Sequence, residues 1–304
     1  MLHTTPRTAS VLTLLLCILP AHAESWQTPN NKLRYDEVCF LTAHNAFTYR
    51  PKWIYAQQDW NLKTQLEKGI RGFMLDVHAD GSTLKLCHGD KNKACNFPYS
   101  FQKIGNFDTL KDALSIMKKF LDSNKQEVVT LILEDYVDKR ELLVKTIESI
   151  SGLPALILNL SSWNTTSNGN RWPTLEWMQK NNKRLVIFTD KSETKYTPHT
   201  WHWVIESGYS SWDMDKVCTE RSSSKRYASK PRGLYLLNWF GTTSTEITSA
   251  IYNTESKIMS LIKKGMQKGL ANKRFPNFIA LDFVNIGGGM NVVNDINKAA
   301  TPQA

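Results

Sequence analysis

Residues 128–136 read VVTLILEDY. The run Val128–Leu133 is β-branched and apolar, as a buried strand requires, and it runs into two carboxylates, Glu134 and Asp135. Stretches of helical spacing lie on both sides. Upstream, Thr109–Ser123 repeats Leu110, Leu114, Met117 and Leu121 along one face, with Asp108 placed to cap it. Downstream, Lys139–Ser151 reads as another helix. The alternation continues outward in both directions. Strands are expected at Val38–Leu41, Gly72–Val77, Leu84–Cys87, Leu185–Thr189, Leu234–Asn238 and Phe278–Phe283. Helices are expected at Leu62–Lys68, stopping at Gly69, and near Thr174–Asn181 and Glu246–Lys268. Repeated strand–helix alternation implies a parallel sheet covered by helices. At 304 residues the natural solution is an α/β fold of the (β/α)8 TIM-barrel type, fully or incompletely closed. Ser161–Asn170 is polar, Ser222–Lys230 is polar and basic, and both read as loops inside one domain.

Composition narrows the class. With 41% hydrophobic and 22% charged residues the chain is neither fibrous nor disordered. A formal charge of +10 favours anionic partners, and 10 Trp on a basic protein suit a membrane–water interface. No nucleic-acid-binding module is recognisable, so nucleic acid is not an expected partner. Arg7, the apolar run from Val11 to Leu19, and Ala21-His22-Ala23 form a secretory signal peptide over residues 1–23. The mature chain, 24–304, is then expected to be secreted (extracellular, or periplasmic in a Gram-negative host), soluble and monomeric.

The carboxyl ends of the expected strands hold the polar residues of interest. They carry His44-Asn45, Asp76, His88, Glu134-Asp135 and Asp282. In a parallel barrel this end assembles the active site. Strand alternation sorts the faces: Asp76 shares one with Met74 and Gly72, and Glu134 shares one with Ile132 and Thr130. Arg71 and Asp135 then fall on the helix side. Four cysteines survive export, Cys39, Cys87, Cys95 and Cys218, with three possible pairings. Cys87–Cys95 is favoured because it closes a short loop beside these strand ends, and Cys39–Cys218 would follow by elimination. No CxxC or HxxxH spacing supports zinc.

The segments LTAHNAF (41–47), GIRGFMLDVH (69–78), LCHG (86–89), VVTLILEDY (128–136), RWPTLEWMQKNNKRLVIFTDKS (171–192) and FPNFIALDF (275–283) resemble the catalytic X domain of phosphatidylinositol-specific phospholipase C. The likeness is greatest to the secreted single-domain phosphodiesterases, and it runs from about Val38 to about Asn294. It implies His44 as general base, His88 as general acid and Asp282 as the residue orienting the base. It also implies Asn45, Asp76 and Glu134 as ligands of one Ca²⁺. The metal-independent branch has Arg and Lys where this chain has Asp76 and Glu134. One departure stands out: metal-dependent members often carry another acidic residue where this chain has Met74, which implies weaker calcium binding.

Two histidines suit cleavage of a phosphodiester by an internal hydroxyl, because one removes the proton while the other protonates the leaving oxygen. Lys191, just past a strand, could contact a substrate phosphate or be an ordinary surface lysine. Taken singly, His44-Asn45 could be a turn and Asp282 a helix cap. Three readings follow. The first is a calcium-dependent phosphodiesterase cleaving phosphatidylinositol, or a related phospholipid, on the diacylglycerol side through a cyclic phosphate. The second is the same barrel acting on a lysolipid, sphingolipid or glycosylated anchor. The third is a phospholipid-binding protein without catalysis.

Overall fold

Seven parallel strands curl into an incompletely closed barrel in the computed structural model, which describes residues 24–89, 95, 107–160, 163, 171–229 and 232–302. The strands are β1 (Phe40–Ala43), β2 (Gly72–Asp80), β3 (Thr83–Leu86), β4 (Val129–Tyr136), β5 (Leu185–Thr189), β6 (Val204–Glu206), β7 (Leu234–Trp239) and β8 (Phe278–Leu281). Their spatial order is β5-β4-β2-β1-β8-β7-β6, with β3 added antiparallel to β2 as a hairpin. The alternation of strands and helices is therefore realised as seven parallel strands with an opening between β5 and β6. Across that opening lies the segment that carries His199, bridged to Thr189 of β5. The signal peptide read for residues 1–23, and all of the polar stretch 161–170 except residue 163, fall outside the described residues. No helix among the described residues is long and apolar enough to cross a membrane.

Strand alternation divides the core in two. Phe40, Ile132, Val186, Phe188, Leu236 and Phe278 pack inside the barrel, with Met74 against them. Their odd-numbered neighbours on β1, β2 and β4, including Leu41, Phe73, Leu75, Leu131 and Leu133, pack outward against the helices. The amino end of the barrel is plugged by aromatic rings, with Tyr35 and Trp172 5.1 Å apart and Phe40 and Phe278 6.0 Å apart. Beneath them the Tyr35 hydroxyl meets Thr130 Oγ1 at 2.5 Å. Gly72 is fixed by the closeness of β1: a Cβ there would lie 2.1 Å from Thr42 Oγ1.

Several boundaries move for local reasons. The helix Leu110–Ser123 is capped by Thr109, whose hydroxyl accepts the Asp112 N–H, and not by Asp108. Asp108 instead pairs with Lys52 at 2.6 Å. The expected helix Glu246–Lys268 is two, Glu246–Tyr252 and Glu255–Gln267, parted at Asn253 and the extended Thr254, and Asn253 Nδ2 donates to the Asp282 carbonyl at 2.9 Å. The short strand β6 and the final helix Gly289–Ala299 add to the sequence reading, and Ser222–Lys225 forms a helical turn within an expected loop. Cys87 and Cys95 are joined, with an S–S distance of 2.03 Å. The pairing of Cys39 with Cys218 is corrected: both are free thiols. Each is packed as a small hydrophobe in the outer core, and Cys218 Sγ lies 3.6 Å from the Leu261 carbonyl.

Candidate functional site

His44 follows β1 directly, and its N–H donates to the Leu281 carbonyl of β8 at 3.0 Å. The ring lies flat on Phe240, 3.6 Å between centroids and 6° between planes. Its Nδ1 meets Asp282 Oδ1 at 2.8 Å. A carboxylate only accepts, so this contact places the proton on Nδ1 and leaves Nε2 as the basic nitrogen. Asp282 sits one residue past β8 and is fully buried, and its Oδ2 has no hydrogen-bond partner among the described residues. The buried side chain of Gln58 ties the two strand ends together, donating to the carbonyls of His44 at 2.8 Å and Leu281 at 3.1 Å.

A second imidazole–carboxylate pair faces the first. His88 Nδ1 donates to Asp76 Oδ2 at 2.9 Å, with the His88 side chain half exposed and Asp76 buried. Burial raises the Asp76 carboxyl above its ordinary range, and the charge of Glu134 pushes it the same way. The hydrogen bond His88 donates to Asp76 raises the His88 pKa in turn. Both shifts keep a proton in the pair. Asp76 and Glu134 are register partners on β2 and β4, so they project from adjacent strands on the same face. Glu134 Oε1 also accepts from the Tyr136 hydroxyl. Asn45 holds a left-handed backbone, φ +41°, which asparagine tolerates better than most residues. Its Nδ2 donates to Gln57 Oε1 at 2.6 Å and lies 3.2 Å from His88 Nδ1.

His44, Asn45, Asp76 and Glu134 line one cleft at the carboxyl end of the barrel. His88 joins it through Asp76, and Asp282 stands behind His44. The alternates dismissed on strand parity lie in the outer layer: Arg71 pairs with Glu127 at 2.8 Å, and Asp135 with Arg140 at 2.7 Å. Lys191 is exposed and does not line the cleft. Asp190, beside it, does. Its carboxyl is raised to about 6 by burial, while Oδ1 accepts the Asp135 N–H at 2.8 Å.

The opposite wall carries residues that sequence reading passed over. Glu206, at the end of β6, is buried and accepts from Arg221 Nη1 at 2.9 and 3.1 Å. It also accepts from Trp201 Nε1 at 2.9 Å and Asn238 Nδ2 at 3.1 Å. Asp190 could have been found by applying the strand-end rule one residue earlier than Lys191. Arg221 had no such signal, because it lies in a basic stretch away from any strand. For a metal, no three His, Cys, Asp or Glu converge among the described residues. The oxygen donors on one wall are Asp76, Glu134 and the Asn45 amide, and in donor type they fit a hard cation such as Ca²⁺ rather than zinc.

Comparison with known proteins agrees with this architecture. A PI-PLC X domain-containing protein of Arabidopsis thaliana is 28% identical over 279 residues, covering 87% of this chain and 62% of that one. A protein of Arthroderma benhamiae named as an uncharacterized secreted protein is 24% identical over 271 residues, covering 83% and 58%. The chain thus spans about three fifths of the length of these curated relatives. Among solved structures, the phosphatidylinositol-specific phospholipase C of Listeria monocytogenes superposes with a TM-score of 0.56 at 15% identity, covering 90% of this chain and 96% of that one. At that identity the likeness is one of fold. The family model described as PI-PLC X 1 matches residues 31–297, and the chain belongs to the PI-PLC X family.

Proposed function

We propose that this chain is a secreted phospholipase C-like phosphodiesterase that cleaves phosphatidylinositol, or a related phospholipid, on the diacylglycerol side. The observation that carries the reading is the pair of histidines at one barrel end, each tied through Nδ1 to a carboxylate: His44 to Asp282 and His88 to Asp76. His44 Nε2 takes the proton of the inositol hydroxyl next to the phosphodiester, and that oxygen bonds to phosphorus. The bond from phosphorus to the glycerol oxygen breaks, and His88 gives that oxygen its proton. The products are a cyclic inositol phosphate and diacylglycerol. Asp282 fixes the tautomer of His44 and stabilises its imidazolium, while Asp76 keeps His88 charged as an acid should be.

Asn45, Asp76 and Glu134 would hold one Ca²⁺, which when bound supplies neutralising charge at the phosphoryl oxygens. With two carboxylates and Met74 in place of another, its affinity falls at roughly 10⁻⁴–10⁻³ M, the range of weak extracellular sites. Export is supported by the signal peptide read in residues 1–23 and by the secreted name of one relative. The test is a phosphorus NMR assay on a panel of phospholipids, with and without chelator. A cyclic phosphate from phosphatidylinositol, lost on chelation, is the expected result. Calcium should restore it, with Asp76→Asn requiring more calcium than wild type and Met74→Glu less. Full activity in excess chelator would remove calcium from the reading, and no turnover on any phosphodiester would remove catalysis.

A further inference from the structure

A phosphodiester is an anion, and the cleft it would enter is lined by Asp76, Glu134, Asp190 and Glu206. Among the described residues lining that cleft, Arg221 is the one permanent cation. We propose that Arg221 receives a non-bridging phosphoryl oxygen of the substrate and that Glu206 is its positioning residue. This inference rests on the phosphodiesterase reading above and adds a substrate contact on the wall opposite Asp76 and Glu134.

The geometry has three parts. First, the guanidinium is held but not used up. Only Nη1 bonds to Glu206, at 2.9 and 3.1 Å, so Nε and Nη2 carry no hydrogen bond among the described residues. A planar fork with free N–H groups in a shared cleft is matched to two phosphoryl oxygens. Second, the group is fixed before substrate arrives. It stacks 4.5 Å from the Tyr209 ring centroid and 5.6 Å from that of Trp201, and the Arg221 N–H donates to the Glu206 carbonyl at 2.8 Å. Preorganised donors act at a developing charge without reorganising at the moment of reaction. Third, Glu206 is over-determined. Besides Arg221 it accepts from Trp201 Nε1 and Asn238 Nδ2, and its side chain is 4% exposed. A carboxylate anchored this firmly sets where the guanidinium stands. Lys191, which the sequence offered for this role, is exposed on another rim and lines no part of the cleft.

The experiment uses the mature chain, a soluble nitrophenyl inositol phosphodiester for turnover and inorganic phosphate as a competing anion. Arg221→Ala should lower kcat/KM on the order of 10²- to 10³-fold, the cost of one lost oxyanion donor. Arg221→Lys should recover part of that loss, and inhibition by phosphate should weaken in both. Because Arg221→Ala strands the buried Glu206 charge, a double variant, Arg221→Met with Glu206→Gln, removes both charges and keeps the test valid should the single variant unfold. Glu206→Gln alone should raise the phosphate inhibition constant several-fold. In the Arg221→Met background Glu206→Gln should cause no further loss of activity or phosphate inhibition, since a positioning residue acts only through the group it positions. Arg226→Ala removes a neighbouring guanidinium that stacks on the same Trp201 but lies outside the cleft lining, and it should leave both readouts unchanged. Wild-type kcat/KM and phosphate inhibition in a folded Arg221→Ala, or transfer of the whole effect to Lys191→Ala, would overturn the proposal. The two layers separate cleanly. If wild type cleaves no phosphodiester yet binds phosphate in an Arg221-dependent way, the catalytic reading fails and this inference stands.

Discussion

Asp282 and Asp76 hold their histidines by the same nitrogen but in opposite surroundings. Asp282 is fully buried behind an imidazole stacked on Phe240, whereas His88 is half exposed on the side of the disulfide-tied loop. The sheltered ring suits a base that must meet a bound hydroxyl. The exposed one suits an acid that protonates a departing group. His44→Ala and His88→Ala should each lower kcat by about 10²–10⁴-fold, the usual worth of a positioned acid or base, with circular dichroism unchanged. A substrate with a leaving group of low pKa should partly rescue His88→Ala but not His44→Ala, because only the acid becomes dispensable. Equal rescue of both, or of neither, would reassign the roles. At this scale most of the candidate site was legible in the sequence, since His44 and Asn45 follow, and Asp76 and Glu134 lie toward the carboxyl half of, strands readable from their apolar runs. Glu206 was not. Its strand is three residues long, Val204–Glu206, and is preceded by Trp201-His202-Trp203, which gives no periodicity to read.

The opening between β5 and β6 is the element least legible from sequence, because it depends on an absent pairing and not on a present pattern. Two titrating groups lie beside it. His199 accepts the Trp201 N–H through Nδ1 at 3.2 Å and meets the Tyr227 hydroxyl through Nε2 at 3.1 Å. Burial lowers its pKa to about 4, and His202, stacked 4.8 Å away, acts in the same direction. The free imidazole titrates near 6.5, so the unfolded chain binds the extra proton first. Stability contributed by neutral His199 is complete above about pH 6.5 and lost as pH falls toward 4. Asp190, raised to about 6, has the opposite sign: the folded chain binds its proton first, so stability is lost as pH rises from about 4 to 6. Urea unfolding between pH 4 and 7 should show His199→Asn flattening the acid side of the profile while keeping an oxygen to cap Trp201. Asp190→Asn, which keeps the acceptor for the Asp135 N–H, should gain on the order of 1–2 kcal/mol at pH 7, with solvent screening discounted. Slopes that move together in the two variants would refute this assignment. The Cys87–Cys95 bridge follows the end of β3, on β2's side of the sheet, and peptide mapping without reduction should recover both in one crosslinked fragment. Free thiols at both positions in protein purified without reductant would contradict it.

Across the whole molecule, the plugged amino end and the open carboxyl end give the barrel one working face. The loop after β1 carries Ile54 and Tyr55, 59% and 65% exposed, and the helix after β7 carries Ile247 and Ile251, 74% and 50% exposed. An ion pair from Arg50 to Glu246 joins the loop to that helix, and Arg50 also pairs with Asp59 within the loop. Large apolar side chains left in water next to the mouth of a cleft mark a surface that is covered when it works. The composition had hinted at an interface through its tryptophans, yet none of the ten is among the strongly exposed residues, and Trp53, Trp172, Trp201 and Trp239 are core. The exposed apolar groups at the rim are isoleucine and tyrosine instead, and no sequence pattern separates them from core residues of the same type. With a formal charge of +10, an anionic lipid surface is the cover expected for this face. Ile247→Ser with Ile251→Ser should therefore weaken binding to vesicles of phosphatidylcholine and phosphatidylinositol about 10-fold or more, since each buried isoleucine is worth roughly 1.5–3 kcal/mol at full burial and less at partial depth. Turnover of a soluble phosphodiester should not change in that variant, because neither residue lines the cleft. Raising salt should weaken vesicle binding of wild type and variant alike, as charge attraction is screened while the apolar contribution is not. Vesicle binding that survives the double substitution intact, or a matching loss on the soluble substrate, would place the lipid-facing surface elsewhere on the barrel.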